Sequence, residues 1–161
     1  MKHKYSDIFI DLDNTLYDTC RLATEDAGSP DTDVCVAGAA DMVDYLKHRG
    51  YRLHVCTNGS TAEQREKLEL TGLSANFSTL ITSEDVGVEK PDARFFGEAL
   101  RRTGATVATT LVIGDNFDTD MLGALRAGID AMLFNRWQHD FVPPQPVAYI
   151  IVELTDVKKL L

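Results

Sequence analysis

Phe9-Ile10-Asp11-Leu12-Asp13-Asn14-Thr15 sets an apolar strand running straight into two aspartates separated by one residue. On an extended chain alternate side chains share a face, so this spacing crowds the carboxylates of Asp11 and Asp13. Like charges that close are tolerated only beside a cation or with a shared proton. The plain alternative is a solvated strand end carrying acidic residues, and the rest of the chain decides between the two.

Working outward, short apolar runs alternate with helical periodicity, the pattern of a parallel sheet built from βαβ units. Tyr5–Asp11, Arg52–Thr57, Thr79–Thr82, Thr110–Gly114, Asp130–Phe134 and Tyr149–Val152 read as strands. Most are continuously hydrophobic, as strands covered on both faces should be. Between them, Ala39–His48 carries Ala39, Met42, Val43 and Leu46 on one helical face, and Gly50 follows it. Ser60 and Glu63 form a capping box for a helix running to Gly72. Asp92 caps a helix with Phe95, Phe96, Ala99 and Leu100 inward, ending at Gly104. Further helices are expected over Thr119–Ala127 and near Thr155–Leu161. The expected fold class is α/β, a doubly wound, Rossmann-like parallel sheet flanked by helices, in a single domain over residues 1–161. Tyr17 to Val36 mixes Gly, Pro, Ser, Thr and Asp without a sustained period and reads as a long loop hanging over the paired aspartates.

With 161 residues, 44% hydrophobic and 25% charged, the chain can bury one domain core. A net charge of −9 without a basic tract argues against duplex nucleic acid, though not against one small phosphate. No apolar run reaches membrane-spanning length and Met1-Lys2-His3-Lys4 begins no signal peptide, so no membrane partner is expected. Cys20, Cys35 and Cys56 form neither a zinc pattern nor a disulfide framework, which points to a reducing, cytoplasmic setting. Cys56 reads as a small core residue. His3, His48, His54 and His139 show no ligand spacing and read as surface or edge residues. Asp41/Asp44 and Glu63/Glu66/Glu69 read as solvated helix faces.

Four polar groups fall after strands. They are Asp11 and Asp13, then Thr57-Asn58-Gly59-Ser60, then Lys90 in Val86-Gly87-Val88-Glu89-Lys90-Pro91-Asp92, then Asp115, Asp118 and Asp120 in Gly114–Asp120. In a parallel sheet the carboxyl ends of all strands lie along one edge, so these distant residues converge by topology. Asp11, Asp13, Asp115 and Asp120 offer hard oxygens that suit Mg²⁺. The Thr57 hydroxyl and the backbone N–H groups around Asn58 and Gly59, at a helix N-terminus, suit phosphate oxygens, and Lys90 adds a positive charge. One carboxylate is left to attack phosphorus and another to manage the leaving-group proton.

These four stretches, in this order, closely resemble the four motifs of the haloacid dehalogenase (HAD) superfamily, over about Tyr5 to Trp137. The wording around Thr82–Phe96 and Gly123–Arg136 looks most like its nucleotide and small-metabolite phosphatases. The resemblance implies a Mg²⁺-dependent phosphoaspartyl enzyme. Asp11 matches the nucleophile and a metal ligand; Asp13 matches the general acid/base and lends its carbonyl to the metal. Thr57 and Asn58 match the phosphate-binding motif, Lys90 the motif lysine, Asp115 a metal ligand and Asp120 the second acid. Asp118 reads as a helix-start residue. Members that displace halide lack an acid two residues after the nucleophile, so Asp13 favours a phosphatase.

Relatives in that branch insert a helical cap after the first motif; here residues 18–37 leave room only for a short loop, which implies a capless member. An open site suits a phosphorylated small molecule or an exposed macromolecular phosphoester, or cover by a second copy of the chain in a homo-oligomer. Asn116, Phe117, Arg136, Trp137, Tyr17 and Arg21 fall near the expected site, where packing is the simpler role for the aromatics. A phosphotransferase or mutase and a non-catalytic regulatory module are the rival readings. A receiver-type phospho-acceptor fits poorly, because its acidic pair should precede the acceptor strand.

Overall fold

The computed structural model describes residues 3–20, 33–137 and 140–161. Arg21, His139 and most of the segment in place of a cap lie outside the described residues.

Six strands form one sheet: β1 (Asp7–Ile10), β2 (Arg52–Thr57), β3 (Thr79–Thr82), β4 (Thr110–Gly114), β5 (Asp130–Phe134) and β6 (Tyr149–Ile151). All pair in parallel, in the order β3-β2-β1-β4-β5-β6. The chain winds outward from β1 to β3, then returns to the other side of β1 with β4. The switch point therefore lies between β1 and β4, where α/β sheets open a crevice.

Alternation along the strands divides the core. Ile8, Ile10, Leu53, Val55, Leu111 and Ile113 pack on one face, with α1 (Ala39–His48) and with Leu68 of α2 (Thr61–Leu70). Phe9, Cys56, Ile81 and Val112 point to the other, against Phe95, Phe96 and Ala99 of α4 (Ala93–Thr103) and Ala124 of α5 (Leu122–Arg126). A one-residue slip of any central strand would exchange the two faces, which pins the register. Among the described residues there is no cap domain, and no helix is long and apolar enough to cross a membrane.

Four strands coincide with the expected bounds. β1 is shorter at both ends, and β6 stops one residue early. The Asp11 N–H still donates to the Ile113 carbonyl at 3.0 Å, but Leu12 then accepts N–H bonds from Leu16 and Tyr17, which turns the chain off the sheet. The turn places Asn14 at φ 61°, a left-handed conformation that Asn tolerates. A short helix α3 (Ser83–Val86), capped by Thr82, was not expected.

The helix expected over Thr119–Ala127 begins earlier, as a π-type turn over Phe117–Met121, and continues as α5. Asn116 caps it through Oδ1 to the Thr119 N–H, and the wide turn folds Asp120 into the protein with no solvent exposure. The C-terminal helix is a 3-10 turn over Leu154–Lys159, with Leu154 and Val157 buried. His54 is not an edge residue. It sits buried in β2, edge-on to Phe9, and donates to Asp7 Oδ1 at 3.0 Å, because its strand lies inside the sheet and that acid needs partners. His3 and His48 are exposed, and Cys56 is a core residue as expected.

Candidate active site

Asp11 follows β1 and Asp115 follows β4, so the two face each other across the switch point. Carboxylate oxygens of Asp11, Asp115 and Asp120 lie within 4.8 Å of one another. Lys90, delivered by the loop before α4, is buried among them. Its Nζ donates to Asp11 Oδ1 at 3.0 Å, Asp120 Oδ1 at 2.6 Å and the Cys56 carbonyl at 2.8 Å. An ammonium has three hydrogens, so all are committed. Burial alone would pull the Lys90 pKa down; Asp11 and Asp120 outweigh it and hold the group above its ordinary value.

Asp120 needs glycine beneath it. A Cβ at Gly114 would stand 2.3 Å from Asp120 Oδ2. The same oxygen accepts the Asn116 N–H at 3.2 Å. Asp115 is held by the Thr15 hydroxyl at 3.2 Å. Burial, and then the nearby Asp11 carboxylate, push Asp115 up to about 7. Burial and Asp11 also drive Asp120 well above the usual carboxylate range, against the pull of Lys90. One ammonium among three acids leaves a net negative, oxygen-only cluster. That donor set fits a small hard divalent cation, which would relieve the repulsion.

Asp13 is placed differently. The chain leaves the sheet after Asp11, so alternation no longer holds, and the Asp13 carboxylate stands apart from the three-acid cluster. Lys67 Nζ donates to its Oδ1 at 3.0 Å and Gln64 Nε2 to its Oδ2 at 3.1 Å, both from α2. The crowding anticipated between Asp11 and Asp13 is thus realised between Asp11, Asp115 and Asp120.

Thr57, at the end of β2, lines a cavity of about 190 Å³ with Asp11, Asp13, Asn58, Lys90 and Asp115. The Asn58 side chain is occupied with the Lys90 backbone, accepting its N–H at 2.9 Å and donating to its carbonyl at 3.1 Å, which ties the lysine loop to β2. The Gly59 N–H donates to Ser83 Oγ at 2.9 Å rather than facing the cavity. The part Gly59 plays is conformational, at φ 133° and pressed against Gln64. Asp118 is exposed on the π-type turn.

A second groove of about 220 Å³ shares Asp115 and Asn116 with the first and continues along Phe117, Asn135, Arg136 and Trp137. Arg136 donates to Asp18 at 2.6 Å and lies over the Trp137 ring at 4.1 Å. Phe117 packs against Phe141. Tyr17 is buried beneath Lys67, its ring centre 5.8 Å from Nζ. Sequence reading missed Thr15, Gln64 and Lys67. Thr15 lies inside the quoted motif, whereas Gln64 and Lys67 carry no signal beyond sitting one turn apart on a capped helix.

Comparison with known proteins follows the same line. The family of haloacid dehalogenase-like hydrolases matches residues 31–134. The chain belongs to that family. Within it, a glyceraldehyde 3-phosphate phosphatase from Methanothermobacter thermautotrophicus is 47% identical over 90 residues, which cover 56% of this chain and 40% of that protein. The pyrimidine 5'-nucleotidase PynA of Streptococcus pneumoniae is 38% identical over 101 residues, covering 62% of this chain and 43% of the relative. The chain thus spans well under two thirds of the length of either. Among solved structures, the HAD-hydrolase YfnB of Bacillus subtilis, determined bound to magnesium, superposes with a TM-score of 0.85 at 22% identity, covering 99% of each chain. That likeness carries the fold.

Proposed function

We infer that this HAD-family protein hydrolyses a phosphomonoester through a phosphoaspartyl intermediate on Asp11, with Mg²⁺ as cofactor. The observation that carries the reading is the division of labour between Asp11, buried and fixed by Lys90, and Asp13, set apart on α2 donors. Two carboxylates in different environments suit a nucleophile and a proton carrier.

Asp11 attacks phosphorus, and the bond from phosphorus to the ester oxygen breaks. Asp13, protonated, gives its proton to the departing alkoxide. It then takes a proton from the water that attacks the same phosphorus, releasing inorganic phosphate and restoring the Asp11 carboxylate. Lys90 keeps the Asp11 oxygens aimed, and its charge acts on the phosphate through space while its hydrogens stay committed. Thr57 and the backbone at Asn58 receive non-bridging oxygens. The metal would be held by Asp11, Asp115 and the Asp13 carbonyl, with Asp120 behind them, and would supply charge neutralisation for the phosphoryl group.

The substrate is a small phosphorylated metabolite of the kind named for the relatives, or an exposed phosphate on a larger molecule. Its leaving group lies in the groove that continues past Asp115 and Asn116. Residues 18–37 take the place of a cap, within one domain over 1–161, and a second copy of the chain is the proposed cover.

The test is phosphate release with and without Mg²⁺, from aryl phosphates, sugar phosphates, nucleoside monophosphates and phosphopeptides, for wild type and Asp11→Asn. Metal-dependent release lost in the variant is expected. Folded protein that binds Mg²⁺ yet releases no phosphate from any of them would overturn the reading in favour of a regulatory module.

A further inference from the structure

Gln64 belongs to the first turn of α2 yet is 1% exposed, with its side chain under Gly59. A Cβ at Gly59 would come within 3.1 Å of Gln64 Cδ and 3.2 Å of Cγ, so the glycine leaves it room. The Gln64 amide nitrogen lies 3.1 Å from Asp13 Oδ2 and 2.5 Å from Thr57 Oγ1. Which end of an amide faces which neighbour is settled by chemistry. In its ionised form, paired with the Lys67 ammonium at 3.0 Å, Asp13 only accepts, so the group then facing it is the NH₂ and not the carbonyl.

The same nitrogen reaches the Thr57 oxygen, which must therefore accept as well. A hydroxyl that accepts from Gln64 has its own hydrogen left for another acceptor. Within the described residues that acceptor is the Asn58 carbonyl at 3.3 Å, long beside the usual 2.7–2.8 Å for an O–H···O bond. Thr57 lines the cavity, and a phosphate oxygen at ordinary distance is the better partner.

Resting on the phosphatase reading above, we propose that Gln64 is a positioning residue that holds the acid/base Asp13 and, through the same amide, turns the Thr57 hydroxyl hydrogen toward substrate phosphate. Lys67 bonds only the other oxygen of Asp13, and among the described residues it makes no hydrogen bond to Thr57. The helix following β2 thus supplies both contacts to the proton carrier, and only one of them is shared with the phosphate site.

This asymmetry gives the test. Binding of inorganic phosphate to the full chain with Mg²⁺ is measured by calorimetry, and kcat/KM is compared for an aryl and an alkyl phosphate. Gln64→Met should weaken phosphate about tenfold, as loss of one bond to a charged group does, and should widen the aryl-to-alkyl ratio. Thr57→Val should weaken phosphate similarly, and adding Gln64→Met to it should weaken it no further. Lys67→Met should widen the aryl-to-alkyl ratio while phosphate affinity stays within about twofold.

Gln64→Glu, of the same shape, makes the partner of Thr57 an acceptor. It should weaken phosphate more than Gln64→Met, and with Lys67→Met it decides the matter if Gln64→Met does not fold. Wild-type phosphate affinity in the folded Gln64 variants, or additivity with Thr57→Val, would reduce Gln64 to packing and overturn the proposal. Because phosphate binding is read without turnover, that result leaves the phosphatase reading standing. Failure of wild type to release phosphate from any ester sinks that reading instead.

Discussion

Lys90 meets Asp120 at 2.6 Å, in a setting where neither side chain is more than 2% exposed. A buried pair of this kind is poor evidence of added stability, since both charges have been taken from water. What it secures is geometry. The same ammonium holds Asp11, so Asp120 fixes the lysine and the lysine fixes Asp11, the proposed nucleophile.

Removing Lys90 should therefore be severe. Lys90→Met leaves Asp11 and Asp120 facing each other without their cation and should cost about 3–5 kcal/mol of stability. Denaturant unfolding measures it, and a loss below about 1 kcal/mol would show that the acids redistribute protons at little cost.

At Gly114 the constraint is steric. Gly114→Ala sets a methyl 2.3 Å from Asp120 Oδ2 and 2.5 Å from its Cγ, and the carboxylate cannot yield without leaving Lys90. The variant should lose about 1–3 kcal/mol of stability and most of its phosphate release. Wild-type turnover would mean that the position of Asp120 is not critical.

Asp115→Asn removes one charge from an uncompensated cluster. Without metal the variant should melt roughly 2–4 °C above wild type, the shift of about 1 kcal/mol in a domain of this size. Addition of Mg²⁺ should raise the wild-type midpoint and leave that of the variant unmoved. An equal Mg²⁺ response in both would remove Asp115 from the proposed ligand set.

His54 makes a distinct contribution to the dependence of stability on pH. Burial lowers its pKa below 6.5, although Asp7 pulls the other way. Its Nδ1 is buried without a partner, so a proton there would be stranded. The unfolded chain then binds this proton more readily, and stability present above about pH 6.5 is lost as pH falls through the lowered folded value, by up to about 1.4 kcal/mol per pH unit. Asp7 acts in a lower window. Burial raises its pKa, but bonds from Ser6, Arg52 and His54 outweigh it and set it below 3.8, so its contribution is lost only in stronger acid. Asp115 and Asp120 act with the opposite sign in the same window, because their raised folded pKa values favour the folded chain as it takes up protons. Unfolding free energies between pH 7.5 and 5 should therefore differ in slope, with His54→Gln losing less stability on acidification, or gaining more, than wild type. Equal slopes would exclude His54 as a source.

Much of this was legible in the chain because each of the first four strands is an apolar run with polar residues at its carboxyl end or in the loop that follows. The doubly wound sheet, the helix starts at Ser60 and Asp92, and the meeting of Asp11 with Asp115 and with Lys90 follow from that pattern and from topology. Departures arise where one side chain overrides periodicity. Asp120 needs a π-type turn to reach under β4, which moved the expected helix start. Buried His54 and Gln64 carry polar letters and are interior only because Asp7, Asp13 and Thr57 supply their partners. Those partners are distant in sequence, and no local pattern announces them.

A covalent bond from Asp11 to phosphorus can be trapped directly. Protein turning over a good aryl phosphate with Mg²⁺ would be quenched in acid, reduced to convert any acyl phosphate to an alcohol, and digested for mass spectrometry. Conversion is expected at Asp11 alone, dependent on both substrate and metal and missing in Asp11→Asn. Steady release of phosphate with no residue modified, or with modification at Asp13 or Asp115, would contradict it.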